Sequence, residues 1–119
     1  IKTLSRKDFK VILTTDHGNT RVSNPVKVTG EKEITSNVRY KIGKDLQFNK
    51  KDVFEIQNPK LAQLPQQSIS TRYIFAHNRD FMAYPNNFNY YAKYYSDTFQ
   101  HGGISMEELL IPFITLKPK

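Results

Sequence analysis

A short apolar and β-branched run, FKVILTT at residues 9–15, gives way at Asp16 to the polar sequence DHGN. Such a run, bounded by a polar turn, predicts a buried strand and is compatible with a central, parallel position in a sheet. Ligand sites of α/β proteins open at the carboxyl ends of such strands. The loop that begins at Asp16 is therefore the first candidate for a functional site.

Further β-type runs and turn residues fill residues 20–85, which predicts mostly β-hairpins there. One hairpin is expected from residues 73–76 and 81–84, because they flank a polar four-residue segment that contains His77. An exposed His77 in that turn is the better interpretation of this residue. A helical turn is expected around residues 60–64, between two prolines.

The last third of the chain carries helix signals. Residues 88–99 have aromatic residues at helical spacing, but the β-propensity of tyrosine favours a strand, so both alternatives remain open. Ser105 and Glu108 have the spacing of a capping box, which predicts a short helix and favours a capping role for Glu108 over that of a general base. Residues 113–116 are predicted to form a closing strand in the same central sheet as residues 9–15.

These elements predict a mixed α/β chain, more strictly an α+β fragment, with β-hairpins and one or two short helices. A length of 119 residues fits one domain or part of one. Because the chain begins with Ile1 and has no signal-peptide pattern, we expect an upstream part, and we treat residues 1–119 as a single fragment.

Composition narrows the classes of site and partner. The absence of cysteine excludes disulfides and thiolate metal ligands, and is compatible with a cytoplasmic location. No apolar run is long enough for a membrane span, so membrane insertion is not expected. The formal charge of +7 favours an anionic partner, although a solubilising surface explains it equally well.

Two short segments contain residues suited to metal chemistry. Asp16 and His17 offer an oxygen and a nitrogen ligand for zinc or manganese, and Gly18 allows the backbone to turn so that both reach one ion. His101 precedes two glycines, in a backbone open to a metal or a phosphate. Each segment alone is also explained without a metal, as a capped turn and as a glycine loop that leads into a helix.

Taken together, TTDHGN after a strand and HGGISMEELLIP before a final strand resemble the PglZ domain of the alkaline phosphatase superfamily. Within it, the chain is most similar to PorX-like two-component response regulators. The resemblance covers essentially the whole chain, including RYKIGK, DVFEIQNP, YIFAHNRDFMAYPNN and YYSDTFQHGG. It implies that the fold is a partial alkaline-phosphatase-like sheet.

The resemblance also implies a two-metal hydrolase, usually with Zn²⁺ and with Mn²⁺ as an alternative. By its pattern, Asp16 and His17 ligate one ion and His101 ligates the other. The Thr or Ser nucleophile and the remaining ligands belong upstream in the family pattern, and Thr14 and Thr15 do not match that nucleophile. We therefore expect no catalytic nucleophile within residues 1–119 and no turnover by this chain alone.

The implied substrate is a phosphodiester, in nucleotides or oligonucleotides. Candidate phosphate contacts are Arg21, Arg39, Lys41 and Arg72, each of which is also explained as a solvated surface charge. The implied partner is an upstream receiver domain, in a regulator of type IX secretion. An exposed sheet edge further predicts a dimer. The alternative function is a non-catalytic basic module that binds protein or nucleic acid.

Overall fold

The computed structural model describes residues 2–30 and 36–118 of the chain. Their strands form two two-stranded and two three-stranded sheets, and their helices are short, so the predicted mixed α/β class is confirmed. The order along the chain is α1 (Lys2–Ser5), β1 (Val11–Thr14), β2 (Thr20–Arg21), β3 (Asn24–Thr29), β4 (Tyr40–Gly43), β5 (Gln47–Phe48), β6 (Val53–Ile56), a 3₁₀ turn (Pro59–Ala62), β7 (Arg72–Ala76), β8 (Asp80–Ala83), α2 (Phe88–Tyr95), β9 (Phe99–Gln100), α3 (Met106–Leu109) and β10 (Phe113–Leu116).

The main core lies between the two three-stranded sheets, whose strand orders are β5–β3–β8 and β4–β7–β6. Side chains alternate between the two faces of a strand, so each sheet directs one set of apolar residues toward the other sheet. The first sheet and the second sheet both contribute buried aliphatic residues to one cluster. Its members are Val26, Val28, Leu46, Val53, Ile74, Ala76 and Met82.

The predicted hairpin of residues 73–76 and 81–84 is wrong in its pairing, although strands form at both positions. β7 lies between β4 and β6, whereas β8 runs parallel to β3. The intervening turn closes with a hydrogen bond from the Asp80 amide to the His77 carbonyl, 2.8 Å long. Beyond the turn, the Met82 amide donates to the Val38 carbonyl at 2.7 Å instead of to β7. A turn signal thus predicted the reversal of the chain but not the strand partners, which non-local packing decides.

Elsewhere in residues 20–85 the pairing is mostly antiparallel, in the pairs β3–β5, β4–β7 and β6–β7. Residues 31–35 of this stretch lie outside the described residues. The 3₁₀ turn forms close to the helical turn that the prolines predicted.

The first and last strands, β1 and β10, pair with each other as predicted, but the sheet is neither central nor parallel. The pair is antiparallel, with Val11 opposite Leu116 and Thr14 opposite Phe113. The prediction of a buried strand is also wrong, because Leu13 is 53% exposed and Phe113 is 69% exposed. Burial of an apolar strand requires a partner layer, and the described residues leave this pair largely uncovered.

Both helix signals near the C-terminus give helices. α2 packs on β8 and β3, which resolves the choice between helix and strand for its tyrosines. α3 begins at the predicted capping box, in which the Glu108 carboxylate accepts the Ser105 amide at 3.1 Å. Among the described helices, none has the length and apolarity that crossing a membrane would require.

Candidate functional site

The two-stranded sheet of β2 and β9 brings the predicted site segments together. Thr20 lies opposite Gln100 and Arg21 lies opposite Phe99. β2 begins just after the DHGN loop and β9 ends just before the HGG loop, so the pairing places the loops side by side. The rings of His17 and His101 stack with 3.9 Å between their centroids and 10° between their planes.

The DHGN loop fixes the proton position on His17. Its Nδ1 lies 2.8 Å from the Gly18 carbonyl oxygen. A carbonyl oxygen only accepts hydrogen bonds, so Nδ1 is the donor in this contact and Nε2 is the ring nitrogen left for a ligand. The Asp16 carboxylate lies 3.7 Å from that Nε2 and also accepts the His17 backbone amide at 3.1 Å. Both side chains are exposed, so a cation can reach them.

These distances can be compared with those of a zinc centre. Bonds of 2.0–2.2 Å at tetrahedral angles place two ligand atoms of one zinc about 3.4 Å apart, close to the 3.7 Å between Asp16 Oδ1 and His17 Nε2. Within residues 2–30 and 36–118, however, no three His, Asp or Glu side chains converge on one point. The described residues therefore do not bring Asp16, His17 and His101 together as a three-ligand group.

A buried ion pair lies behind the histidine loops. Arg39 Nε donates to Glu108 Oε1 at 2.9 Å and Arg39 Nη2 donates to Oε2 at 2.8 Å, a two-pronged arrangement. Neither residue is more than 5% exposed. Arg39 Nη1 also donates to the carbonyl oxygens of His77 and Asp80. The pair thus connects the residue just before β4, the turn that leads into β8, and α3.

Glu108 also ties both histidine loops to this pair. Its carboxylate accepts the Gly103 amide at 2.9 Å, two residues beyond His101. Its backbone carbonyl accepts the Gly18 amide at 3.0 Å, one residue beyond His17. The geometry of the histidine pair therefore depends on Glu108, although Glu108 contacts neither ring.

The charge of Glu108 is stabilised by these contacts. Burial alone raises the pKa of this carboxyl group. The hydrogen bonds from Arg39, Ser105 and Gly103 outweigh burial and lower its pKa to about 2. Glu108 is therefore ionised at neutral pH and holds Arg39 as a true ion pair.

The position of Arg39 contradicts its predicted role as a phosphate contact. The side chain has no exposed surface and its guanidinium is paired with Glu108, so it is a structural residue and not a phosphate contact. Asn37, which the sequence did not single out, donates from Nδ2 to the His101 carbonyl at 3.0 Å. The capping spacing of Glu108 was a visible signal, but no sequence pattern indicates that Arg39 or Asn37 lies beside the HGG loop.

The other three predicted phosphate contacts lie in different settings. Arg21 is exposed and lies opposite Phe99, which is two residues before His101. Its Nε lies 3.5 Å from the Asp97 carboxylate. Arg72 lies on the β4–β7–β6 sheet and pairs with Glu55 at 3.3 Å. Lys41 is buried on β4. Of these three, the structure brings only Arg21 near the histidines.

Gly18 allows the DHGN loop to approach α3, and we expect Gly18→Ala to separate them. A β-carbon at this position would overlap the backbone carbonyl oxygen of Glu107. Because this atom belongs to the backbone of α3, the loop or the helix must shift. We expect a loss of about 1–3 kcal/mol in the free energy of unfolding, measured by urea denaturation. Asn19→Ala, at the next and exposed position, is the control. A Gly18→Ala protein as stable as the wild type would contradict this close approach.

Comparison with known proteins yields one family. The family described as the BREX system PglZ alkaline phosphatase-like domain matches residues 1–116. No curated protein matches the chain. The matched range includes both histidine loops and the Arg39–Glu108 pair.

Proposed function

Because the chain belongs to the PglZ family of alkaline phosphatase-like domains, we propose that it supplies part of a two-metal centre that hydrolyses phosphodiesters. Membership in this superfamily indicates a metal-dependent hydrolase. The proposal goes further in naming the substrate class, the ligands and the metal, which is Zn²⁺ with Mn²⁺ as the alternative.

The stacking of His17 on His101 is the observation that carries the proposal. The two residues are 84 positions apart in the sequence, yet their rings lie 3.9 Å from each other at an exposed site. Glu108 of the buried ion pair also holds both loops, through the amides of Gly103 and Gly18. The arrangement supports a shared binding task for the two rings.

Each residue has a distinct role under this proposal. Asp16 and His17 would hold one cation, and His101 would hold its neighbour. Bound divalent ions would polarise the phosphoryl oxygens and stabilise the negative charge that develops as the ester bond breaks. The Gly18 carbonyl accepts a hydrogen bond from His17 Nδ1, which leaves Nε2 as the nitrogen that would bind the cation. Glu108 keeps both loops in register as a positioning residue.

The biological setting is part of the same proposal. We place the domain in a cytoplasmic response regulator, downstream of a receiver domain, with a role in type IX secretion. The resemblance of RYKIGK, DVFEIQNP and YYSDTFQHGG to PorX-like proteins supports this placement.

Metal removal tests the hydrolase in the full-length protein. We expect roughly two zinc ions per chain by elemental analysis and hydrolysis of bis(4-nitrophenyl) phosphate. Dialysis against a chelator should abolish this hydrolysis, and added Zn²⁺ should restore it. The monoester 4-nitrophenyl phosphate serves as the comparison substrate and should react more slowly.

Two results would overturn the proposal that the full-length protein is a metal-dependent hydrolase. One is a protein purified without metal that neither binds added zinc nor hydrolyses the diester, which would favour the non-catalytic interaction module. The other is hydrolysis that chelation leaves unchanged.

A further inference from the structure

The side-chain amide of Asn37 makes three hydrogen bonds that join two distant segments of the chain. Its Oδ1 accepts the backbone amides of Arg39 at 2.7 Å and of Tyr40 at 3.2 Å, which closes the turn that leads into β4. Its Nδ2 donates to the His101 carbonyl at 3.0 Å, 64 positions along the chain. The two ends of this amide cannot be exchanged, because backbone donors face one end and a carbonyl acceptor faces the other.

The contact with Asn37 is one half of a support for the HGG loop. Gly102 has a positive φ of 99°, and a β-carbon there would lie 2.6 Å from Asn37 Nδ2 and 3.1 Å from the Tyr40 ring. The loop therefore lies directly against these two residues. Asn37 holds the peptide group before Gly102 by its carbonyl, and the Glu108 carboxylate holds the peptide group after it by the Gly103 amide.

The position of the His101 ring depends on this backbone. Among the described residues, the ring contacts His17 by stacking and makes no hydrogen bond of its own. The direction of a side chain follows from the backbone atoms around its Cα atom, so a shift of the His101 carbonyl moves the ring as well. Stacking at 3.9 Å tolerates little movement, because attraction between atoms in contact falls steeply with distance.

We propose that Asn37 is a positioning residue for His101, whose amide nitrogen holds the HGG loop where the two histidine rings stack. Its consequence for catalysis rests on the proposed function, because a histidine that is already ordered loses less entropy when it binds a cation. Replacement of residues behind a metal ligand typically changes metal affinity or activity about 10–100-fold. The contact between the rings does not itself depend on a metal.

Asn37→Asp separates the two ends of the amide. A carboxylate keeps an oxygen for the Arg39 and Tyr40 amides, so the turn into β4 can persist. It replaces the donor with a second oxygen, which the His101 carbonyl repels. The chelator-treated, full-length protein should show nuclear Overhauser contacts between the ring protons of His17 and His101, and Asn37→Asp should lose them. Spectra of His17→Ala and His101→Ala assign the resonances.

Asn49→Asp is the matched control, in the loop between β5 and β6. Asn49 Oδ1 accepts the Lys51 amide at 3.1 Å, the same contact two residues along that Asn37 makes with Arg39. The control adds the same charge to the same kind of turn and should keep the ring contacts. Asn37→Ser removes the donor without adding a charge, and its hydroxyl can still accept the amide two residues on. It should also lose the ring contacts, which keeps the test decisive if Asn37→Asp does not fold.

Zinc binding and hydrolysis extend the test to the proposed metal centre. Asn37→Ser is the variant for this measurement, because it adds no carboxylate that could itself bind zinc. We expect it to weaken the binding of one of two zinc ions about tenfold and to slow diester hydrolysis about tenfold. Asn49→Ser should behave like the wild type in both measurements.

The metal-free spectra decide the positioning role by themselves. Ring contacts that are absent from the wild type, that persist in both Asn37 variants, or that Asn49→Asp loses equally would overturn it. Wild-type zinc affinity of Asn37→Ser despite lost ring contacts would overturn its consequence for the metal centre. A protein that neither binds zinc nor hydrolyses the diester would instead remove the proposed hydrolase, and the role of Asn37 in placing His101 would stand on the spectra.

Discussion

Glu108→Gln is expected to lower the free energy of unfolding by about 3–5 kcal/mol at pH 7. The substitution keeps the shape of the side chain but leaves the Arg39 guanidinium buried without its counter-charge. Removal of one partner from a buried pair costs more than the pair itself contributes, since the remaining charge stays out of water. Urea denaturation followed by circular dichroism measures this loss.

The double variant Arg39→Met/Glu108→Gln is the control for this explanation. It removes both charges, and the side-chain carbonyl of the introduced glutamine can still accept one of the loop amides that Glu108 accepts in the wild type. We therefore expect it to recover much of the stability that Glu108→Gln alone loses. A double variant as unstable as the sum of the two single variants would contradict a coupled buried pair.

The same pair predicts a specific pH dependence. The pKa of Glu108 is about 2 in the folded chain and 4.5 in its ordinary state. A lowered pKa means that the folded state binds the proton less readily, so the contribution of this carboxylate is fully present above about pH 4.5. It is lost progressively as the pH falls from there toward 2. The stability difference between wild type and Glu108→Gln should therefore shrink over this interval.

The sequence predicted best the elements that are determined locally. α3 depends on Ser105 and Glu108, three residues apart. For α2 the sequence left helix and strand open, and the helix forms where these residues pack on β8 and β3. The hairpin failed because the partners of β7 and β8 come from distant parts of the chain. The exposure of β1 was missed for the same reason. An apolar run shows that a strand could be buried, but it does not show whether another layer of the fold covers it.

The same distinction between local and non-local features applies to the candidate site. Asp16, His17 and His101 stand in short motifs whose chemistry is visible in the residues themselves, and the structure places both histidines together. The role of Arg39 depends on a contact with a residue 69 positions away, so a surface arginine and a buried one look alike in the sequence. Lys41 was singled out for its charge, whereas its position 5.1 Å from the centroid of the Tyr84 ring is a property of the folded chain.

His101→Ala in the full-length protein is expected to reduce diester hydrolysis about 10³-fold, without a comparable loss of stability. If His101 holds one of two ions, its removal withdraws several kcal/mol of transition-state stabilisation, and each 1.4 kcal/mol corresponds to about a tenfold change in rate. The residue is exposed, so truncation of its side chain should leave the fold intact. Steady-state hydrolysis of bis(4-nitrophenyl) phosphate measures the effect.

His77→Ala is the matched control, because this third histidine lies in the turn before β8 and contributes only its backbone carbonyl to Arg39. We expect His77→Ala to keep wild-type hydrolysis and metal content, and His101→Ala to lose roughly one of two ions. If His101→Ala loses metal as well as rate, His101 acts as a metal ligand. If it loses rate alone, His101 only shapes the loop. Equal rates for His101→Ala and His77→Ala would remove His101 from the centre, and the stacked pair with His17 would then need another explanation.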